Sequence, residues 1–91
     1  MARTVLIVDD HPGFRASARR MLAADGYRVV GEAQDGRSGI AAARALRPDI
    51  VLLDVLLPDL DGFEVAAALT GADDAPIVVL TPSRDAAIST G

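Results

Sequence analysis

The stretch D-I-V-L-L-D-V-L-L-P-D-L-D-G, Asp49–Gly62, decides the fold. It begins with an apolar run, Ile-Val-Leu-Leu, bracketed by aspartates at 49 and 54. A run this short cannot make a stable helix, and its unbroken apolar character is that of a strand buried on both faces. A loop, Val55–Leu60, follows and contains Pro58. Asp61 then stands three residues before Glu64, the spacing of a helix-starting capping box. Strand, acid, loop and helix start thus lie within one short segment.

The same plan extends in both directions. Thr4–Asp9 (TVLIVD) is another apolar run ending in acid, and Pro76–Thr81 (PIVVLT) ends in a hydroxyl. Tyr27–Ala33 (YRVVGEA) is a strand nearer an edge, because it admits Arg28 and Glu32. Between the strands lie helical stretches. Pro12 suits a first helical turn, and Phe14, Ala18, Met21 and Leu22 form an apolar stripe that Asp25-Gly26 ends. A second helix, Arg37–Arg47, has Asp35 as candidate cap, Ile40, Ala43 and Leu46 as its inward face, and Pro48 as its stop. The third, after Asp61, is predicted to turn Phe63, Ala66, Ala67 and Thr70 to one side. Ser83 or Arg84 starts a further helical stretch before Gly91. Three βα units and the beginning of a fourth predict an α/β domain over residues 1–91, a parallel sheet with helices on both faces.

Composition agrees. Of 91 residues, 51% are apolar but only 3% aromatic, so the core rests on Val, Leu, Ile and Ala. There is no cysteine, which excludes disulfides and thiolate metal sites. No apolar run approaches the roughly 18 residues of a membrane span, and the N-terminus lacks the apolar stretch of a signal peptide. The expectation is a cytoplasmic protein without membrane contact. The net charge is −4 and every basic residue is arginine. That balance argues against direct nucleic-acid binding, and Arg15, Arg19 and Arg20 read as a solvated helix face.

In a parallel sheet all strand C-termini share one edge, where ligands bind. Strand one delivers Asp9 and Asp10 there, strand three Asp54, strand four Thr81. If strands one and three are neighbours, three carboxylates and a hydroxyl converge. Two carboxylates about 5 Å apart repel by roughly 3 kcal/mol at an effective dielectric of 20. Such crowding calls for a hard divalent cation, and Mg²⁺ prefers one or two carboxylates, waters and a substrate phosphate. Taken singly, each residue has a plainer reading as turn former, cap or strand end; the constellation is what points to metal-assisted phosphoryl chemistry on an aspartate. His11 alone reads as a solvated loop residue, Asp61 as a helix cap and Asp59 as loop surface.

Together these motifs resemble the receiver domain of two-component response regulators. The residues that carry the resemblance are V-L-I-V-D-D (Val5–Asp10), D-I-V-L-L-D (Asp49–Asp54), the D-V-L-L-P-D-L-D-G run from Asp54 to Gly62, and P-I-V-V-L-T (Pro76–Thr81). The resemblance spans the whole chain. It implies a flavodoxin-like (CheY-like) doubly wound sheet of strand order 2-1-3-4. Asp54 would be the phosphoacceptor and Thr81 the hydroxyl that binds a phosphoryl oxygen and moves inward. Asp10, Asp9 (largely through water), Asp54 and the backbone carbonyl of Leu56 would hold Mg²⁺, with Pro58 shaping the loop. The partner would be a sensor histidine kinase or phosphotransfer protein. D-D-H-P-G-F-R (Asp9–Arg15) further resembles the subgroup that precedes a LuxR-type helix-turn-helix output domain.

The chain departs from that pattern at its end. By the resemblance, the 91 residues are expected to stop short of the family's fifth strand, fifth helix and the lysine between them, and they contain no lysine. An open fourth strand and a partly bare sheet face would favour a homodimer or domain-swapped dimer. Three other readings compete. A phosphorylation-independent pseudo-receiver is favoured by the missing lysine and opposed by the intact acids. A haloacid-dehalogenase-like phosphatase would carry D-x-D after strand one, whereas here the acids are adjacent. Flavodoxin-like mononucleotide binding wants a Gly-, Ser- or Thr-rich first loop, and this one is acidic. The expectation is a signalling domain, not an enzyme.

Overall fold

The structure is a computed structural model and describes residues 2–71 and 73–82. The elements run β1 (Thr4–Val8), α1 (Pro12–Ala24), β2 (Arg28–Ala33), α2 (Gly36–Leu46), β3 (Ile50–Asp54), α3 (Gly62–Leu69) and β4 (Ile77–Thr81). The strands form one parallel sheet in the order β2-β1-β3-β4. The expected helix from Ser83 or Arg84 lies outside the described residues.

The two central strands are the most deeply buried, whereas the edge strand β4, equally apolar, leaves Ile77 and Val79 exposed. Val5, Leu6, Ile7, Val8, Val51 and Leu53 are each shielded almost completely from solvent. Burying side chains of this size stabilises by roughly 1.5–3 kcal/mol apiece. Alternation along the strands divides the core in two. Leu6, Val8, Val51 and Leu53 pack with Ala43 of α2 and with Val65 and Leu69 of α3. Val5 and Ile7 face Ala18 of α1, with Phe14, Leu22 and Leu52 around them.

Three helix faces differ from their sequence reading. In α3 the buried residues are Gly62, Val65 and Leu69, while Phe63 is exposed. The helix is apolar nearly all round, so periodicity alone does not choose its face; Gly62 does. A Cβ there would lie 2.7 Å from the Asp54 carbonyl oxygen and 2.8 Å from Val55 Cα. That close approach turns the Gly62–Val65–Leu69 stripe inward and Phe63 out. In α1, Met21 is exposed, and Leu22 completes the inward stripe. In α2, Leu46 is exposed at the last turn, and the buried positions are Gly36, Gly39 and Ala43. Gly39 admits Val8, whose Cγ1 would sit 2.8 Å from an added Cβ.

Capping follows the sequence. Asp35 accepts from Ser38 N at 2.8 Å and Asp61 from Glu64 N at 2.8 Å, each satisfying an orphan donor of a first turn. Helix α2 ends on Arg47 in the left-handed region (φ 48°), just before buried Pro48. No helix among the described residues is long and apolar enough to cross a membrane.

Candidate functional site

The site is built at the carboxyl edge of the sheet by the two central strands. β1 pairs with β3 in parallel, matching Val8 with Leu53, so the residues that follow emerge side by side. These are Asp9 and Asp10 from one strand and Asp54 from the other. β3 pairs with β4 so that Asp54 lies opposite Thr81. One carboxylate oxygen from each of Asp9, Asp10 and Asp54 and one ring nitrogen of His11 all lie within 4.8 Å of one another.

The acids differ in environment. Asp9 is 3% exposed; its Oδ1 accepts from the His11 backbone N–H at 2.8 Å and lies 2.8 Å from His11 Nδ1. Asp10 is exposed and lies 3.1 Å from the same Nδ1. Asp54 is 1% exposed; its Oδ1 accepts from Leu56 N at 3.2 Å, and its Oδ2 is buried with no partner. Leaving such an acceptor unpaired costs roughly 1–3 kcal/mol. Burial is the main cause that pushes the Asp54 carboxyl above its usual range; the charges of Asp9 and Asp10 add to it, and the Leu56 N–H and His11 oppose it.

The surroundings fix these positions. Val55 N donates to the Thr81 carbonyl at 3.0 Å, and Gly62 N donates to the Val55 carbonyl at 2.7 Å, folding the loop after Asp54 back upon itself. Leu56 and Asp61 form an isolated antiparallel bridge across that loop. The Thr81 hydroxyl donates to the Leu53 carbonyl at 3.3 Å, next to the acid. The donor set, three carboxylates of which Asp54 has a buried oxygen that no protein group satisfies, fits a small hard cation. Chemically, it offers a carboxylate nucleophile held among groups able to carry a divalent ion.

A family model of the response regulator receiver domain matches residues 5–90. The chain belongs to the receiver domain family. It is 42% identical over 83 residues to a putative transcriptional regulator of Pseudomonas aeruginosa, covering 90% of this chain and 40% of that protein. It is 49% identical over 82 residues to the response regulator MprA of Mycolicibacterium vanbaalenii, covering 89% of this chain and 35% of that one. Among solved structures it resembles the signal receiver domain of the putative response regulator NarL from Mycobacterium tuberculosis, with a TM-score of 0.82 and 38% identity, over 92% of this chain and 68% of that one. The receiver chain thus spans about two-fifths or less of the length of the curated relatives it matches.

Within the receiver fold, the sequence reading brings together the intended residues: Asp9, Asp10 and Asp54, with Leu56 and Thr81 beside Asp54. It missed three others. His11 is not simply solvated, since its ring lies against both Asp9 and Asp10. Asp59 is exposed on the loop, as expected, but it is engaged. Its carboxylate accepts from Gly36 N at 2.7 Å and Arg37 N at 3.0 Å, capping α2 from across the site. Burial would raise the Asp59 carboxyl, but the N–H groups of Arg37, Gly36, Asp59 itself and Leu60 outweigh it and hold the group below its usual range. Arg15 does not lie on a solvated face either. Its Nη1 donates to the Asp9 carbonyl at 2.6 Å, and its Nε pairs with Glu32, which Arg19 also grips. His11 had a signal in its adjacency to the acid pair; the contacts of Asp59 and Arg15 span 6 to 23 residues and leave no local pattern.

Proposed function

We propose that this chain accepts a phosphoryl group on Asp54, in a Mg²⁺-dependent reaction with a phosphohistidine of a sensor kinase or phosphotransfer protein. The observation that carries the reading is the buried, unpartnered Oδ2 of Asp54 beside two further carboxylates. A purely structural aspartate would be solvated or paired; this one is held ready for a ligand. Mg²⁺, when bound, neutralises charge on the transferring group. Asp9, Asp10, Asp54 and the Leu56 carbonyl are the residues that would hold it. A carboxylate oxygen of Asp54 attacks phosphorus, an O–P bond forms, and the N–P bond to the donor imidazole breaks, its electron pair leaving with the nitrogen. The new group brings up to two negative charges and fresh acceptor oxygens. The Thr81 hydroxyl, held on the Leu53 carbonyl by a long bond, is the donor placed to turn toward them. That motion supplies the two-state element by which a full-length regulator, in line with its transcriptional relatives, is switched. The chain itself is a signalling domain rather than an enzyme acting on free substrates.

The test is intact-protein mass after incubation with acetyl phosphate and Mg²⁺. One added phosphoryl group is expected, absent in Asp54→Asn and absent with chelator. Uptake by this lysine-free chain would also show that an ammonium is dispensable for the step. No addition to a folded chain that still binds Mg²⁺ would overturn phosphoacceptance and favour the phosphorylation-independent pseudo-receiver.

A further inference from the structure

We propose that His11 is itself a ligand of this cation site, through Nδ1, and that it tunes the site toward borderline divalent ions such as Mn²⁺ and Co²⁺. The inference rests on the cation-site part of the reading above and adds to it a nitrogen donor.

The geometry carries it. His11 Nδ1 lies 2.8 Å from Asp9 Oδ1 and 3.1 Å from Asp10 Oδ1. Cis ligands at about 2.1 Å from an octahedral ion lie about 3 Å apart, so each of these two spacings matches a cis ligand pair on one cation. Without an ion, an Nδ1–H shared between the two carboxylates accounts for both distances; with an ion bound, the Nδ1 lone pair takes that proton's place. The Asp9 Oδ1 atom already accepts from the His11 backbone N–H, so the turn is fixed without the ring's help. A second observation points to a ligand at the same place: Asp54 belongs to the same cluster, and its Oδ2 is buried and unpartnered. The ring and Asp10 are both open to solvent, which leaves a path for an ion to enter. When the ion binds, the ring proton resides on Nε2 and the imidazole stays neutral.

The chemical consequence follows from ligand type. Three carboxylates alone suit Mg²⁺, while an added imidazole favours the later first-row ions in Irving–Williams order. His11 is the chain's single histidine, so a coordinated imidazole nitrogen has no other source in the protein.

The experiment uses untagged chain loaded with Mn²⁺ and read by electron spin echo envelope modulation, with Mn²⁺ and Mg²⁺ dissociation constants measured alongside for wild type, His11→Asn and Asp54→Asn. Directly bonded nitrogen coupling is expected in wild type and not in His11→Asn. The variant should bind Mn²⁺ roughly tenfold more weakly, with a smaller loss of Mg²⁺ affinity. Circular dichroism confirms that both variants fold. Mn²⁺ binding that Asp54→Asn weakens but that shows no nitrogen coupling, or coupling that survives in His11→Asn, overturns the role of His11 and leaves the cation site standing. A folded chain that binds neither ion overturns the site and, with it, this inference.

Discussion

Strand β3 is flanked by an aspartate at each end, and the two are treated in opposite ways. Asp49, just before the strand, is stitched to β1: its Oδ2 accepts from Thr4 N at 2.8 Å and from the Thr4 hydroxyl at 3.1 Å, while Asp49 N donates back to that hydroxyl at 2.9 Å. Those bonds hold its carboxyl below the usual range, the Thr4 backbone N–H first and its hydroxyl next. Asp54, at the other end, is buried, half-satisfied and pushed upward. One acid closes a seam between neighbouring strands; the other carries a cost that nothing in the protein relieves. The residue type is the same, so the difference lies in the surroundings: Asp49 is exposed and bonded, Asp54 buried and half-satisfied.

The sharpest way to break this contrast is to remove each acid in turn and measure phosphoryl uptake. Asp54→Asn is expected to abolish it, whereas Asp49→Asn should leave the mass shift intact, because Asp49 sits at the far end of the sheet. Next in size is Gly62→Ala. The added methyl meets the Asp54 carbonyl, so a loss of about 3 kcal/mol is expected in denaturant unfolding. Uptake should fall with it, while the Thr4–Asp49 seam stays protected from amide exchange.

The third test turns on sign. Because the folded protein raises the Asp54 carboxyl above its ordinary 3.8, stability from this group is present below that pH and is lost as pH rises through the elevated value. At pH 7 without metal, Asp54→Asn should therefore be the more stable protein, by about 1–2 kcal/mol. Added Mg²⁺ should stabilise wild type and not the variant. For Asp49 the sign reverses. Its lowered carboxyl contributes stability above the ordinary 3.8 that is lost as pH falls through the lower folded value. Asp49→Asn should bring the smallest change of the three variants, a slight drop in midpoint at pH 7 that vanishes in acid. Equal pH profiles for the two variants would erase the distinction between the ends.

Much of this architecture was legible in the sequence. The runs Val5–Val8 and Ile50–Leu53 have no polar interruption, so strand identity followed from hydrophobicity; Ile77–Leu80 is as apolar yet lies at the sheet edge, so strand order was legible only through the family resemblance. The acids were legible because each directly ends or follows such a run. The face of α3 was not, since a helix reading GFEVAAAL offers apolar residues on every side and only contact with the Asp54 backbone selects one. Asp59 was missed for a related reason: its partners lie on α2, 22 and 23 residues away, and proximity across a fold leaves no trace in local spacing.

The Asp59 bridge has a mechanical consequence. It fastens the far end of the loop after Asp54 to the start of α2, while Asp61 fastens the same end to α3. The near end is tied at Val55 to β4. A displacement of the loop after Asp54 therefore pulls on both helices and on β4 at once.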